Sequence, residues 1–127
     1  MQTQTSVKTG EGSMYRTLLL VAALIATAAS ASAADRPTRF WNLTHNTVQE
    51  FQLAPAGTTA WGENQCKNDK DGAVDFDERL PVIGIASGRY DARIKDASGR
   101  VCFARNIAIE AGKVFSIDEK DLVDCKR

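Results

Sequence analysis

Histidine is nearly absent from this sequence of 127 residues, in which His45 is the only one. A serine hydrolase needs a base beside its nucleophile, and the sequence also lacks the Gly-x-Ser-x-Gly turn of one large hydrolase class. Cysteine and histidine ligands at the spacing of a zinc site are missing too. Cys66 as a nucleophile would depend on His45, which falls in a predicted turn. We therefore expect a protein that is not an enzyme.

An excess of one charge sign is also missing. The chain has 16 basic and 16 acidic side chains, and the two signs interleave along it. Proteins that bind nucleic acids or anionic membrane surfaces usually carry a basic patch or stripe. The sequence thus argues against nucleic acid and against a membrane surface as partners.

The apolar run from Leu18 to Ala29 is shorter than the roughly 20 residues that a membrane-spanning helix needs. It follows Arg16 and precedes the small residues Ala31–Ala33, which is the layout of a cleavable secretory signal. A signal peptidase requires small side chains before the cut, so we expect cleavage after Ala33 or Ala34.

This pattern divides the chain into three parts. We assign 14–34 as the signal peptide, with Met14 as the expected start of translation. Residues 1–13 are then an upstream extension, and 35–127 form a single mature domain. The domain is expected in the periplasm or outside the cell, with no membrane attachment after the signal is removed.

The predicted mature part has no long stretch in which apolar residues recur with the period of an amphipathic helix. Its apolar residues recur with the period of β-strands instead. The alternation is clearest from Arg89 to Lys95. Short apolar stretches separated by turn residues predict an all-β fold, a small antiparallel β-sandwich of six or seven short strands after an N-terminal signal-peptide helix. The predicted strands are 38–44, 47–53, 80–85, 89–95, 101–109 and 114–117.

Turn residues predict how neighbouring strands are joined. His45-Asn46 would join the first two strands as a hairpin with a two-residue loop. The stretch Asp96–Gly99 would join 89–95 to 101–109 in a second hairpin. One helical turn is expected at Asp118–Asp121.

Residues 58–79 predict a long polar loop, a kind that is often functional or metal-bound. With Gly72 at the sixth position of a 12-residue calcium loop, the acids fall on ligand positions 3, 5, 9 and 12. These candidate calcium ligands are Asp69, Asp71, Asp75 and Glu78. However, Lys67 occupies the first position, where the pattern needs a ligand oxygen. A solitary calcium loop and a solvated acidic turn paired with nearby cations both remain open.

The three cysteines, Cys66, Cys102 and Cys125, all lie in the mature part. Export places them in an oxidising compartment, where disulfides persist. A bond between Cys102, in a predicted strand, and Cys125, near the chain end, would fasten a tail that otherwise frays. Because three is an odd number, Cys66 is left free or pairs between chains.

The aromatic side chains are expected mostly in the core, since a small sandwich must bury most of them to be stable. Trp41 and Trp61 are the exceptions that we single out. If these two rings are exposed together, they mark a binding face.

Several short motifs resemble a family of small exported bacterial proteins of unknown function, some of which are labelled "Tat pathway signal protein". The motifs are Trp41-Asn42-Leu43-Thr44, Trp61-Gly62-Glu63-Asn64, Gly88-Arg89-Tyr90-Asp91, Cys102, and Asp121-Leu122 before Cys125. The resemblance implies a β-domain with a Trp-Gly turn, supports the pairing of Cys102 with Cys125, and brings no catalytic residues. The stretch 84–101 is similar, at the level of the fold, to transthyretin-like and carboxypeptidase-regulatory-like sandwiches.

These observations favour a non-catalytic binding or interaction module of the cell envelope, whose ligand is an unidentified protein or small molecule. No cofactor other than calcium is expected. One alternative is a calcium-stabilised or calcium-gated β-domain that uses the 67–78 loop. Another is an inhibitor of an envelope enzyme that presents the 58–79 loop.

Overall fold

The computed structural model describes residues 36–127, which form one compact unit. The predicted signal peptide and upstream extension lie outside the described residues. Seven strands make up this unit: β1 (Thr38–Leu43), β2 (Val48–Pro55), β3 (Arg79–Val82), β4 (Gly88–Asp96), β5 (Val101–Ile109), β6 (Val114–Asp118) and β7 (Val123–Lys126). Two short 3₁₀ turns, Gln65–Asn68 and Glu119–Asp121, complete it.

The strands form two sheets, one of three strands in the order β3-β1-β6 and one of four in the order β2-β4-β5-β7. The all-β sandwich expected from the alternating sequence is confirmed. Most neighbouring strands are antiparallel, but β6 runs parallel to β1. The parallel pair arises because the chain crosses from the four-stranded to the three-stranded sheet between β5 and β6.

Aromatic rings from both sheets meet in the centre of the core. Phe40 of β1 and Phe51 of β2 are fully buried, and their ring centroids lie 4.1 Å apart. Phe115 of β6 packs beside them, 5.8 Å from Phe40. Burying a side chain of this size contributes about 1.5–3 kcal/mol, so these three rings anchor the two sheets to each other.

The predicted hairpin between the first two strands is wrong. β1 and β2 belong to different sheets, so the chain crosses the sandwich at His45-Asn46. Buried polar groups hold this crossing: Asn42 Nδ2 donates to Val74 O at 2.9 Å, and Asn42 Oδ1 accepts from the Thr44 hydroxyl at 2.6 Å. Crossing places Phe40 and Phe51 face to face, whereas a hairpin would place them in one sheet.

The second predicted hairpin is confirmed, since β4 and β5 pair antiparallel. Asp96 is buried in its turn and accepts hydrogen bonds from Ser98, Arg100 and Asn46. Burial raises the pKa of the Asp96 carboxyl, but these hydrogen bonds outweigh it and lower the pKa to about 2. Arg100 also pairs with Glu119 at 2.8 Å, which ties the hairpin to the turn before β7.

The long loop after β2 covers the open edge of that strand. Gly62 N donates to Leu53 O at 2.9 Å, and Asn64 Oδ1 accepts from Phe51 N at 3.0 Å. Val48 and Val74 form an isolated antiparallel bridge. A covered edge cannot pair with another chain, so this side of the four-stranded sheet is protected.

The same loop covers the edge of β3 in the other sheet. Gln65 Oε1 accepts a hydrogen bond from Ile83 N at 3.0 Å, and Gln65 Nε2 donates to Ile83 O at 3.1 Å. Asn68 Nδ2 donates to Pro81 O at 2.9 Å. Residues 61–74 thus close one side of the sandwich.

Candidate functional site

Three of the candidate calcium ligands in the acidic loop accept local hydrogen bonds. Asp69 Oδ2 accepts from Asp71 N at 2.8 Å, and Asp75 Oδ1 accepts from the Thr47 hydroxyl at 2.8 Å. Glu78 Oε2 accepts from Asp75 N at 3.1 Å. Among residues 36–127, no three His, Cys, Asp or Glu side chains form a group that could hold a metal ion. The geometry of the predicted ligands therefore does not favour calcium, and the calcium hypothesis stays a prediction.

Cys66 is the free cysteine, and it is fully buried. Burial, with the nearby charges of Asp69 and Glu50, raises the pKa of its thiol to about 12. The imidazole of His45 lies elsewhere, 4.0 Å from Glu119, with 76% of the side chain exposed. A thiol that stays protonated is a poor nucleophile, so Cys66 acts as a small core side chain.

The two tryptophans lie against different sheets, Trp41 within β1 and Trp61 in the loop after β2. Trp41 points outward from β1, donates Nε1–H to Asp77 Oδ1 at 2.9 Å, and has Arg79 4.4 Å above its ring. Trp61 packs against Phe103 of the four-stranded sheet, with ring centroids 5.8 Å apart. Because the outer faces of a sandwich point in opposite directions, the expected joint face of Trp41 and Trp61 is not formed.

The outer face of the four-stranded sheet carries the most distinctive site, a groove of about 670 Å³. Phe103 forms an apolar floor with Val101, and both point away from the core. Four cations and one carboxylate surround them. The lining residues are Arg93, Val101, Phe103, Arg105, Asp124, Cys125, Lys126 and Arg127. We refer to this set as the basic groove.

Arg105 is held in place over the floor of the basic groove. Its guanidinium carbon lies 4.5 Å from the Phe103 ring centroid. One guanidinium nitrogen lies 3.4 Å from Asp91 and another lies 3.6 Å from Asp124. The side chain nevertheless keeps 45% of its surface exposed. Arg105 is thus oriented by the protein and still open to a ligand.

Asp91 forms a fixed negative charge beneath Arg105. The carboxyl group accepts from the backbone N–H of Asn106 at 2.9 Å and of Gly57 at 3.0 Å. These bonds, with a contribution from Arg105, lower the pKa of Asp91 from its usual value. The carboxylate therefore stays ionised at neutral pH and keeps Arg105 positioned over Phe103.

The remaining cations of the groove are less restrained. Arg93 lies opposite Phe103 in register, donates to Gln52 at 3.0 Å and contacts Glu50 at 3.4 Å. Within residues 36–127, Lys126 and Arg127 take part in none of the ion pairs. Charge that is not neutralised within the fold is available to a ligand.

The predicted disulfide is confirmed and lies at this site. Cys102 of β5 is bonded to Cys125 of β7, and Cys125 lines the basic groove. β7 pairs with β5 at Val101↔Lys126 and Phe103↔Val123. The disulfide therefore links one wall of the groove to its floor.

Only part of the basic groove could be predicted from the sequence. The alternation of Arg89, Asp91, Arg93 and Lys95 predicted a solvated outer face on β4, and Arg93 lies there, but Asp91 is buried where the β4–β5 register shifts. Phe103 and Arg105 of β5 alternate with the buried Cys102 and Ala104. The contribution of β7 could not be foreseen, since Val123–Lys126 shows no apolar alternation. Only the expected cysteine pairing placed that segment beside β5.

Comparisons with known proteins give no match: no family model matches the chain, and no curated protein or solved structure is significantly similar to it. The resemblance to small exported bacterial proteins therefore stays a prediction. Within the part of the chain that the structure describes, no helix has the length and apolar character needed to cross a membrane.

Proposed function

We propose that this chain is an exported, non-catalytic binding module that holds an acidic segment of a partner protein in the basic groove. The observation that carries the proposal is the lining of the groove, four cations and one carboxylate around Phe103. Guanidinium groups bind carboxylates through paired, charge-assisted hydrogen bonds. The phenyl floor adds an apolar surface for a neighbouring side chain of the partner.

The size and charge of the site favour a polypeptide over other anions. A groove of about 670 Å³ exceeds what a single carboxylate or phosphate ion fills. Nucleic acid is disfavoured because the whole chain has balanced charge, and nucleic-acid-binding domains are usually strongly basic. A short acidic segment with one apolar residue matches both the cations and the floor.

Location outside the cytoplasm is part of the proposal. The disulfide is compatible with an oxidising compartment, and the signal-like segment at 14–34 would deliver the domain there. The partner is then an envelope or extracellular protein. Its acidic segment would meet a groove that the oxidised domain already presents.

The test is a binding titration with a labelled acidic peptide that has four glutamates around one phenylalanine. Arg105→Gln is expected to weaken binding about tenfold, since a charge-assisted hydrogen bond contributes roughly 1.5–3 kcal/mol. The double variant Lys126→Gln, Arg127→Gln should weaken it several-fold, because exposed charges contribute less. Lys70→Gln, an exposed cation of the acidic loop, is the matched control and should change nothing.

Two further titrations test whether binding depends on the negative charge of the peptide. Affinity for the acidic peptide should fall as salt is raised, because exposed charges are screened. The same peptide with lysines in place of glutamates should not bind. Equal affinity for the lysine peptide, or for oligothymidylate, would contradict the assignment of an acidic polypeptide.

A further inference from the structure

Half of the basic groove belongs to the last segment of the chain. Asp124, Cys125 and Lys126 lie in β7, and Arg127 follows it. Two of the four lining cations are in this segment. The groove consequently exists as a concave basic site only while β7 lies beside β5.

Few noncovalent contacts hold β7 in that position. All four of its residues are exposed, and none belongs to the hydrophobic core cluster. Its pairing with β5 has an irregular register, and Asp124 adopts a φ of +54°, which is uncommon for a residue other than glycine. The ion pair with Arg105 spans 3.6 Å at an exposed site, where such pairs contribute little. Leu122, directly before β7, packs against the core, so beyond that residue the covalent bond from Cys125 to Cys102 is the main attachment.

We propose that the Cys102–Cys125 disulfide switches the basic groove: the oxidised domain presents the site, and reduction releases β7 and dismantles it. This inference rests on the proposed function for its binding consequence. The rest of the fold is expected to survive reduction, because the core cluster is built from the other strands and the 61–74 loop. The switch is thus local.

The chemistry is a thiol–disulfide exchange with a dithiol reductant. Cys125 is exposed and Cys102 is buried, so the incoming thiolate attacks the sulfur of Cys125 and the sulfur of Cys102 leaves. The second thiol of the reductant then displaces Cys125 from the mixed disulfide. In total, one protein disulfide becomes two thiols and the dithiol becomes a disulfide, with two electrons and two protons transferred.

The third cysteine does not interfere with this exchange. Cys66 is fully buried, and its sulfur contacts Val48 O at 3.7 Å. A buried, protonated thiol cannot attack either sulfur while the domain is folded. Reduction and reoxidation should therefore return the same Cys102–Cys125 pair without scrambling.

The release of β7 is tested without any ligand by amide hydrogen exchange. Oxidised protein is compared with protein reduced by dithiothreitol and with a Cys125→Ser variant. We expect residues 123–126 to lose protection in both reduced protein and variant, while β4 and the core part of β5 keep theirs. Unchanged protection at 123–126, or loss of protection throughout the domain, would overturn the switch.

The consequence for binding is tested with the acidic peptide described above. Reduction should weaken binding at least tenfold, and reoxidation should restore it. Dithiothreitol should have no further effect on Cys125→Ser, which controls for direct effects of the reductant. Equal affinity in both redox states overturns the switch, whereas absence of binding by the oxidised protein overturns the proposed function and leaves the exchange result standing.

Discussion

Arg105 stands over the ring of Phe103, with 4.5 Å between its guanidinium carbon and the ring centroid. Trp61 packs against the same ring, at 5.8 Å between centroids. The sequence places Trp61 in a loop and Phe103 in a strand, so only the fold brings these three side chains together. This arrangement orients a cation over an apolar floor on an exposed sheet face.

Replacing Phe103 by leucine should weaken acidic-peptide binding several-fold. A cation–π contact at an exposed site contributes about 0.5–1 kcal/mol, and its loss leaves Arg105 less restrained. Fluorescence anisotropy with the labelled acidic peptide measures the effect, and a thermal melt should show only a small decrease in Tm. Phe76→Leu is the control, since Phe76 is 60% exposed in the acidic loop. An equal loss of affinity in both variants would contradict the role of Phe103.

Stability should fall in acid because of Asp96. The folded-state pKa of Asp96 is about 2, below the value near 3.9 that the group has in an unfolded chain. The contribution of about 2 kcal/mol is therefore complete above about pH 4 and is lost as pH falls toward 2.

The difference between wild type and Asp96→Asn isolates this contribution. Denaturant unfolding from pH 7 to pH 2 should show a smaller decrease in unfolding free energy for the variant. Asp71→Asn, a change at an exposed acid, should follow the wild-type curve. Parallel curves for wild type and Asp96→Asn would rule out the proposed role of this carboxylate.

The sequence predicted where most strands lie, but of the two strand pairings that it predicted only that of β4 with β5 is confirmed. The need of a small sandwich to bury most of its aromatic side chains predicted core positions for rings such as Phe40 and Phe51. That prediction could not show that the two rings face each other from different sheets, since two buried rings can also belong to neighbouring strands of one sheet. His45-Asn46 has the chemistry of a hairpin turn, yet the buried bonds of Asn42 and Thr44 turn the chain across the sandwich.

Cys66 should resist thiol reagents in the native protein. With its thiol pKa raised to about 12 by burial, almost no thiolate exists at pH 8. A colorimetric thiol assay should detect no reaction in buffer and one thiol per chain in guanidinium chloride without reductant. Rapid labelling of the native protein would show that Cys66 is accessible.

Calcium should leave the thermal stability unchanged. A ligand that binds only the native state raises stability, and the candidate carboxylates form no group that could hold a metal ion. Melting curves of the 36–127 unit in calcium and in chelator are expected to coincide. A rise in Tm with calcium that Asp75→Asn abolishes would instead establish the calcium loop.

Binding in the basic groove is tested most directly by an NMR titration of the oxidised 36–127 unit with the acidic peptide. We predict chemical-shift changes concentrated at Val101, Phe103, Arg105 and residues 124–127, with the Asp69–Glu78 loop unaffected. Changes centred on the acidic loop or on the outer face around Trp41, or no changes at any peptide concentration, would contradict binding in the basic groove.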